Sequence, residues 1–249
     1  MSCSFGKDSL ALLLKLIELK YPLDEVIYFD IGVEFDSIGR VCDQAAEFLA
    51  ENNIEFTILH PKENFLYMMT EKDVVKRDGS HQKGYEWCGG PCRWGTALKI
   101  NAMKEHYKKY DGETIVEYIG LASDERNRIN RDRQSNLVKL YPLIEWGMTE
   151  QDCLDYCHDK GFYWMEDGKE LYNLKSSDGL DRISCKYCSN KNLKELRYMY
   201  HNMPTVWGEL RNLQEKIKRP FKDGKTVFEL EERFKNEPKQ LSFFDFFEV

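Results

Sequence analysis

Ser4-Phe5-Gly6-Lys7-Asp8-Ser9 runs directly into Leu10-Ala11-Leu12-Leu13-Leu14, and the architecture of the chain is read outward from this junction. A polar hexapeptide with one glycine precedes a helical pattern over residues 9–20, in which Leu10, Leu13, Leu14, Leu16 and Ile17 form a broad apolar face. Pro22 ends it. Gly6 lets the backbone approach a ligand, the N–H groups of the first helical turn point outward, and the helix dipole adds partial positive charge. Lys7 brings a full charge, while Ser4 and Ser9 offer hydroxyls. This is the chemistry of an anion cradle. It departs from the Walker pattern, which needs a longer glycine loop and a Lys followed by Ser or Thr. The plainer alternative is a turn with Ser9 as N-cap.

Downstream, apolar runs alternate with helical periods. Residues 26–29 form a short buried strand ending at Asp30, and 36–52 a helix on Ile38, Val41, Cys42, Ala45, Phe48 and Leu49. A strand over 56–59 is stopped by Pro61; a helix over 93–110 and a strand over 114–121 follow. This alternation predicts βαβ units and an α/β fold with a doubly wound, mostly parallel sheet. Only Met1 to Cys3 precede the loop, so the first strand is either very short or the chain lacks its natural start. Thr149 and Asp152 form a capping-box pair opening another helix. Residues 204–218 make a last major helix on Val206, Leu210, Leu213 and Ile217. The expected division is a nucleotide-binding α/β domain over 1–147, a smaller cysteine-containing helical region over 148–219, and a charged tail over 220–249.

The 249 residues carry 36 basic and 43 acidic side chains, a formal net charge of −7, which argues against a general nucleic-acid binder but allows a local basic patch. The longest apolar stretch is too short to span a bilayer, and Met1-Ser2-Cys3-Ser4 shows no secretory pattern, so the expected compartment is the cytoplasm, with no membrane partner. Eight cysteines without an export signal point to metal or thiol chemistry rather than disulfides. Cys88-Gly89-Gly90-Pro91-Cys92 and Cys185-Lys186-Tyr187-Cys188 are two close pairs in turn-like surroundings, spaced for four thiolates on one metal centre. Alternatively they are buried small hydrophobes, or the second pair is redox-active. Cys153 and Cys157 share a helix face beside His158, a spacing that suits ligation but equally a core-facing helix; Cys42 falls on an apolar face, and Cys3 borders the loop.

The hexapeptide resembles the PP-loop of the adenine nucleotide α-hydrolase superfamily, in the Ser-Phe-Gly form met among phosphoadenosine phosphosulfate (PAPS) reductase relatives, with Phe5 replacing a common glycine. Tyr28-Phe29-Asp30-Ile31-Gly32-Val33-Glu34-Phe35 resembles that family's Asp-Thr-Gly-x-x-Phe segment. Ile119-Gly120-Leu121-Ala122-Ser123-Asp124-Glu125 resembles its Gly-x-Arg-x-x-Glu segment, and Tyr141-Pro142-Leu143-Ile144-Glu145-Trp146 its Pro-Leu-x-x-Trp element. The resemblance spans residues 2 to about 190 and implies an adenine nucleotide held by Ser4, Phe5, Gly6, Lys7, Asp8, Ser9, Asp30, Gly32, Gly120 and Arg182. Lys7 and Asp8 are its expected catalytic residues, with magnesium accompanying ATP. Ala122 stands where the family often has Arg; Arg126, Arg128, Arg131 and Arg133 follow closely, either as substitutes or as a solvated loop paired with Asp124, Glu125 and Asp132. Trp87-Cys88 with Leu98-Lys99, and Arg182-Ile183-Ser184-Cys185-x-x-Cys188, resemble segments that lie near the nucleotide in iron–sulfur members. A four-iron four-sulfur cluster on Cys88, Cys92, Cys185 and Cys188 is therefore implied, with zinc as the second choice.

Gln240-Leu241-Ser242-Phe243-Phe244 resembles the bacterial peptide that binds the DNA sliding clamp, although a buried end strand accounts for it too. Three functions compete: ATP-dependent adenylyl or sulfur transfer, including nucleic-acid thiolation; sulfonucleotide (PAPS or APS) reduction with release of sulfite; and a nucleotide-dependent binding module recruited to the clamp. Reduction in this family uses a cysteine in a C-terminal Glu-Cys-Gly-Leu/Ile-His segment, and no cysteine follows Cys188 in this sequence.

Overall fold

The computed structural model describes residues 1–88, 92–129, 137–176 and 178–237. In chain order the elements are α1 (Lys7–Glu18), β1 (Glu25–Phe29), α2 (Asp36–Glu51), β2 (Glu55–Leu59), α3 (Phe65–Thr70), β3 (Asp73–Val75), β4 (His81–Lys83), α4 (Arg93–Tyr107), β5 (Ile115–Tyr118), β6 (Leu137–Leu140), α5 (Pro142–Glu145), α6 (Glu150–Asp159), β7 (Met165–Glu166), β8 (Lys169–Glu170), α7 (Leu193–Asn202), α8 (Pro204–Lys216) and α9 (Val227–Asn236).

All five residues of β1 are buried, as befits a strand covered on both faces. It pairs in parallel with β2 from Glu25↔Glu55 to Phe29↔Leu59. On its other side residues 1–3 run parallel to it, the Cys3 N–H donating to the Ile27 carbonyl at 2.9 Å and the Ile27 N–H to the Met1 carbonyl at 2.8 Å. A second parallel ladder joins β5 to β6, Ile115↔Leu137 to Tyr118↔Leu140. The fold is thus mixed α/β with parallel pairing. The hydrogen bonds of the described residues draw small ladders of short strands, not the continuous doubly wound sheet expected from the alternation.

Helix α1 is apolar nearly all round, with Leu10, Ala11, Leu12, Leu13, Leu14 and Leu16 buried, so it sits inside the molecule rather than on it. Helix α6 packs along it: the Tyr156 hydroxyl and Lys160 Nζ both donate to Glu18 Oε2, at 2.8 and 2.6 Å. The capping box read at Thr149 and Asp152 is present, each side chain satisfying the other's backbone N–H. Two more occur at Asn192/Glu195 and Thr226/Glu229, heading α7 and α9. One apolar cluster extends from Met1 to Phe234. Among the described residues no helix is long and apolar enough to cross a membrane.

Candidate active site

The polar hexapeptide forms the turn into α1, with Gly6 at the N-cap in extended backbone. Phe5 has φ +53°, a left-handed conformation that bulky residues rarely adopt. Its surroundings hold it there. The ring is completely buried and meets Tyr28 and Phe56 edge-on, while the Phe5 carbonyl accepts a 2.7 Å hydrogen bond from the Trp164 indole. Ser9 Oγ donates to the Gly6 carbonyl at 3.1 Å and accepts from the Ser4 N–H at 3.2 Å, closing the loop on itself. The Lys7 N–H donates to the Tyr172 hydroxyl at 3.3 Å.

Lys7 is only 2% exposed, and its Nζ donates to Asp8 Oδ2 at 3.0 Å and to Glu150 Oε2 at 2.8 Å. Burial pushes the Asp8 carboxyl up, against the pull of Lys7, and its Oδ1 has no partner among the described residues. Burial also pushes Glu125 up, but Arg128 and Arg182, both paired to it, outweigh this and hold it below the usual range. Gly120 brings the end of β5 against this start of α1. A Cβ there would lie 2.7 Å from Ser9 Cα and 2.9 Å from Ser9 N, backbone atoms that cannot give way.

These elements enclose a cavity of about 460 Å³, within the usual size of a small-ligand pocket. Ser4, Gly6, Lys7, Asp8, Ser9, Gly120 and Arg182 line it. Phe5 does not: it serves the loop through its backbone and the core through its ring. Asp30 and Gly32 line a different cavity of about 280 Å³, where the Gly32 N–H donates to Asp30 Oδ1 at 2.7 Å. Arg128 takes a place on the nucleotide-sized cavity, near the position where Ala122 departs from the pattern; Arg131 and Arg133 lie outside the described residues.

The four cysteines Cys88, Cys92, Cys185 and Cys188 share one cavity of about 280 Å³, and all are free thiols. Its two thiol-bearing loops are tied together, since Ser189 Oγ donates to the Cys88 carbonyl at 2.9 Å. Arg219 donates to the Trp87 carbonyl at 2.9 Å, and the Lys186 N–H to the Val33 carbonyl at 2.9 Å, fixing each loop from behind. Cys92 is the N-cap of α4. A hydrogen bond from Cys88, aided by the N–H groups of Gly95 and Thr96, draws its thiol down to about 6 while Cys88 is pushed up. Burial pushes the Cys185 thiol up to about 12. Gly95 leaves room for Cys92, whose Sγ would be 2.7 Å from a Cβ there.

Among the described residues no three or more His, Cys, Asp or Glu groups already stand at metal-holding spacing. The donor set nevertheless suits a four-thiolate centre: all four cysteines line one cavity, together with Trp87, whose buried indole N–H has no partner among the described residues. Such an N–H is what sulfide or thiolate accepts. Ser4 and Ser184 line both this cavity and the larger one, so the two adjoin. Cys153 and Cys157 are buried elsewhere, against α1, where the Cys157 thiol donates to the Lys7 carbonyl.

Sequence reading did not single out Glu150, Tyr172 or Trp164. Each acts on the loop from more than 140 positions away, and no local pattern marks it.

Residues 1–166 match the phosphoadenosine phosphosulfate reductase domain family. An uncharacterized protein of Methanocaldococcus jannaschii is 21% identical over 218 residues, covering 84% of this chain and 40% of that protein. An adenosine 5'-phosphosulfate reductase of Staphylococcus haemolyticus is 25% identical over 175 residues, 67% of this chain and 64% of that protein. The chain spans less than two thirds of the length of either relative.

Proposed function

The chain belongs to the phosphoadenosine phosphosulfate reductase family, and from that premise we propose that it binds ATP at the Ser4–Ser9 loop and transfers an adenylyl group or sulfur to a second substrate, with nucleic-acid thiolation as the matching class. One observation carries this reading: the phosphate-loop cavity and the four-thiol cavity meet at Ser4 and Ser184. A nucleotide seated on the loop would place its reacting end beside sulfur chemistry.

In adenylyl transfer an acceptor oxygen attacks the α-phosphorus, the bond to the bridging oxygen breaks, and pyrophosphate departs with that electron pair. The N-terminal N–H groups of α1 and the Lys7 ammonium oppose the charge that accumulates on the leaving group. Glu150 and Asp8 hold Lys7 in place. The unpartnered Asp8 Oδ1 is the oxygen that fits a magnesium ion accompanying ATP. Cys88, Cys92, Cys185 and Cys188 would hold a four-iron four-sulfur cluster, or zinc, and a bound cluster would supply sulfur-carrying or electron-carrying capacity. Gln240-Leu241-Ser242-Phe243-Phe244 lies outside the described residues; on its sequence we assign it to a DNA sliding clamp, which would deliver the enzyme to nucleic acid.

The test is pyrophosphate release from ATP with nucleic acid as acceptor. It should be lost in the Lys7→Ala, Asp8→Ala double variant while circular dichroism stays native. Reduction of a sulfonucleotide is the second reading, favoured by the name of the Staphylococcus relative. Thiol-dependent sulfite release by the wild-type protein would establish it and displace transfer. Unchanged clamp capture with no turnover in either protein would leave only a binding module.

A further inference from the structure

Lys191 is 4% exposed and appears in no ion pair among the described residues. Its Nζ donates only to the Arg182 carbonyl, at 3.3 Å, and lies 5.1 Å from the centre of the Phe35 ring. A buried ammonium so poorly compensated is costly. The nearby carboxylate, Glu195, is occupied otherwise: Oε1 accepts from the N–H groups of Asp181 and Arg182, and Oε2 from that of Asn192. The Lys191 N–H meanwhile donates to the Cys188 carbonyl at 3.3 Å, so the residue is part of the second thiol loop.

Four thiolates around zinc, or around a four-iron four-sulfur cluster in its oxidised state, leave a net charge of about −2. We propose that Lys191 is the buried counter-charge of an anionic thiolate centre held by Cys88, Cys92, Cys185 and Cys188, a positioning residue that stabilises the loaded centre from behind its wall. The inference rests on the thiol-centre reading above. It accounts for a cation buried where, among the described residues, no carboxylate forms an ion pair with it. Through its hydrogen bond to Arg182, the same lysine is fastened to a residue that lines the nucleotide cavity.

The experiment compares the wild-type chain with Lys191→Met and Lys191→Arg, each made metal-free and then loaded anaerobically with ferrous iron and sulfide or with zinc. Three quantities are read: the melting temperature of the metal-free protein, the rate at which a chelator strips the metal, and the midpoint potential of the iron-loaded form. Methionine fills the lysine's space without its charge, so metal-free Lys191→Met should melt no lower than wild type. Its metal should be stripped several-fold faster, and its potential should fall, because removing a positive charge disfavours the more negative reduced state. Lys191→Arg should restore both. A methionine variant that fails to fold, or melts well below wild type without metal, would mean a structural role and overturn the inference. So would one with wild-type stripping rate and potential. A wild-type chain that takes up neither iron with sulfide nor zinc removes the thiol-centre reading itself, and Lys191's role with it.

Discussion

Lys7 Nζ and Glu150 Oε2 stand 2.8 Å apart, joining the first turn of α1 to the first turn of α6 across 143 positions of sequence. With Asp8 on its other side, the charge of the phosphate loop is met by two carboxylates. An incoming phosphate therefore competes with them.

This competition has a measurable sign. Glu150→Gln should bind inorganic pyrophosphate several-fold more tightly by calorimetry, since half of the restraint on Lys7 loses its charge. Lys7→Met should abolish that binding and lower stability by about 1–3 kcal/mol, because Asp8 and Glu150, each 22% exposed, lose the cation with which both are paired. Weaker binding by Glu150→Gln would mean that Glu150 orients Lys7 and does not restrain it.

Gly120→Ala tests the close approach of β5 to α1. The added methyl would press on the Ser9 backbone, so unfolding in urea should show a loss of about 1–3 kcal/mol together with weakened nucleotide binding. Gly39→Ala, in α2 where an added Cβ meets nothing within 4 Å, is the control for the loss of backbone freedom.

The cysteines should separate into two classes by metal analysis after anaerobic loading. Cys92→Ser and Cys185→Ser should lose bound iron or zinc. Cys153→Ala and Cys157→Ala should keep the metal content of wild type and lower only the melting temperature, because these thiols are core groups packed on α1. Equal metal loss in all four variants would refute the division.

Glu25 gives a pH dependence. Burial pushes its carboxyl up, but hydrogen bonds from Thr57, His106, Lys109 and Tyr110 prevail and hold it at about 2. Its folded value is thus below its ordinary one of 4.5, so the proton binds more readily to the unfolded chain. The stabilisation is complete above about pH 4.5 and is lost as pH falls toward 2, amounting to on the order of 1–3 kcal/mol. Urea midpoints of wild type and Glu25→Gln should converge across that window. A constant difference from pH 7 to pH 2 would show that Glu25 contributes no proton linkage.

The elements that were legible in the sequence are those written within a few neighbouring residues. The loop before α1, the buried run of β1, the helix of α2 and the capping box at Thr149 and Asp152 depend on periodicity or on hydrogen bonds three or four residues apart. The parallel character of the strands followed from their alternation with helices, while the extent of the sheet did not, because which strands lie side by side is decided by tertiary packing. Asp30 and Gly32, read with the nucleotide from a local pattern, line a separate cavity, and that pattern carries no information on how the chain after β1 meets residues 185–186.

Local sequence carried the chemistry: a glycine-bearing turn with a lysine at a helix start, and two pairs of thiols. The return of the chain decided how that chemistry is used. Tyr172 reaches the Lys7 N–H, Trp164 the Phe5 carbonyl and Glu150 the Lys7 ammonium only because α6 and the segment after it fold back over α1. Coulombic and hydrogen-bond energies act over a few ångströms of space regardless of distance along the chain, so partners separated by 140 or more residues leave no signature until burial brings them together.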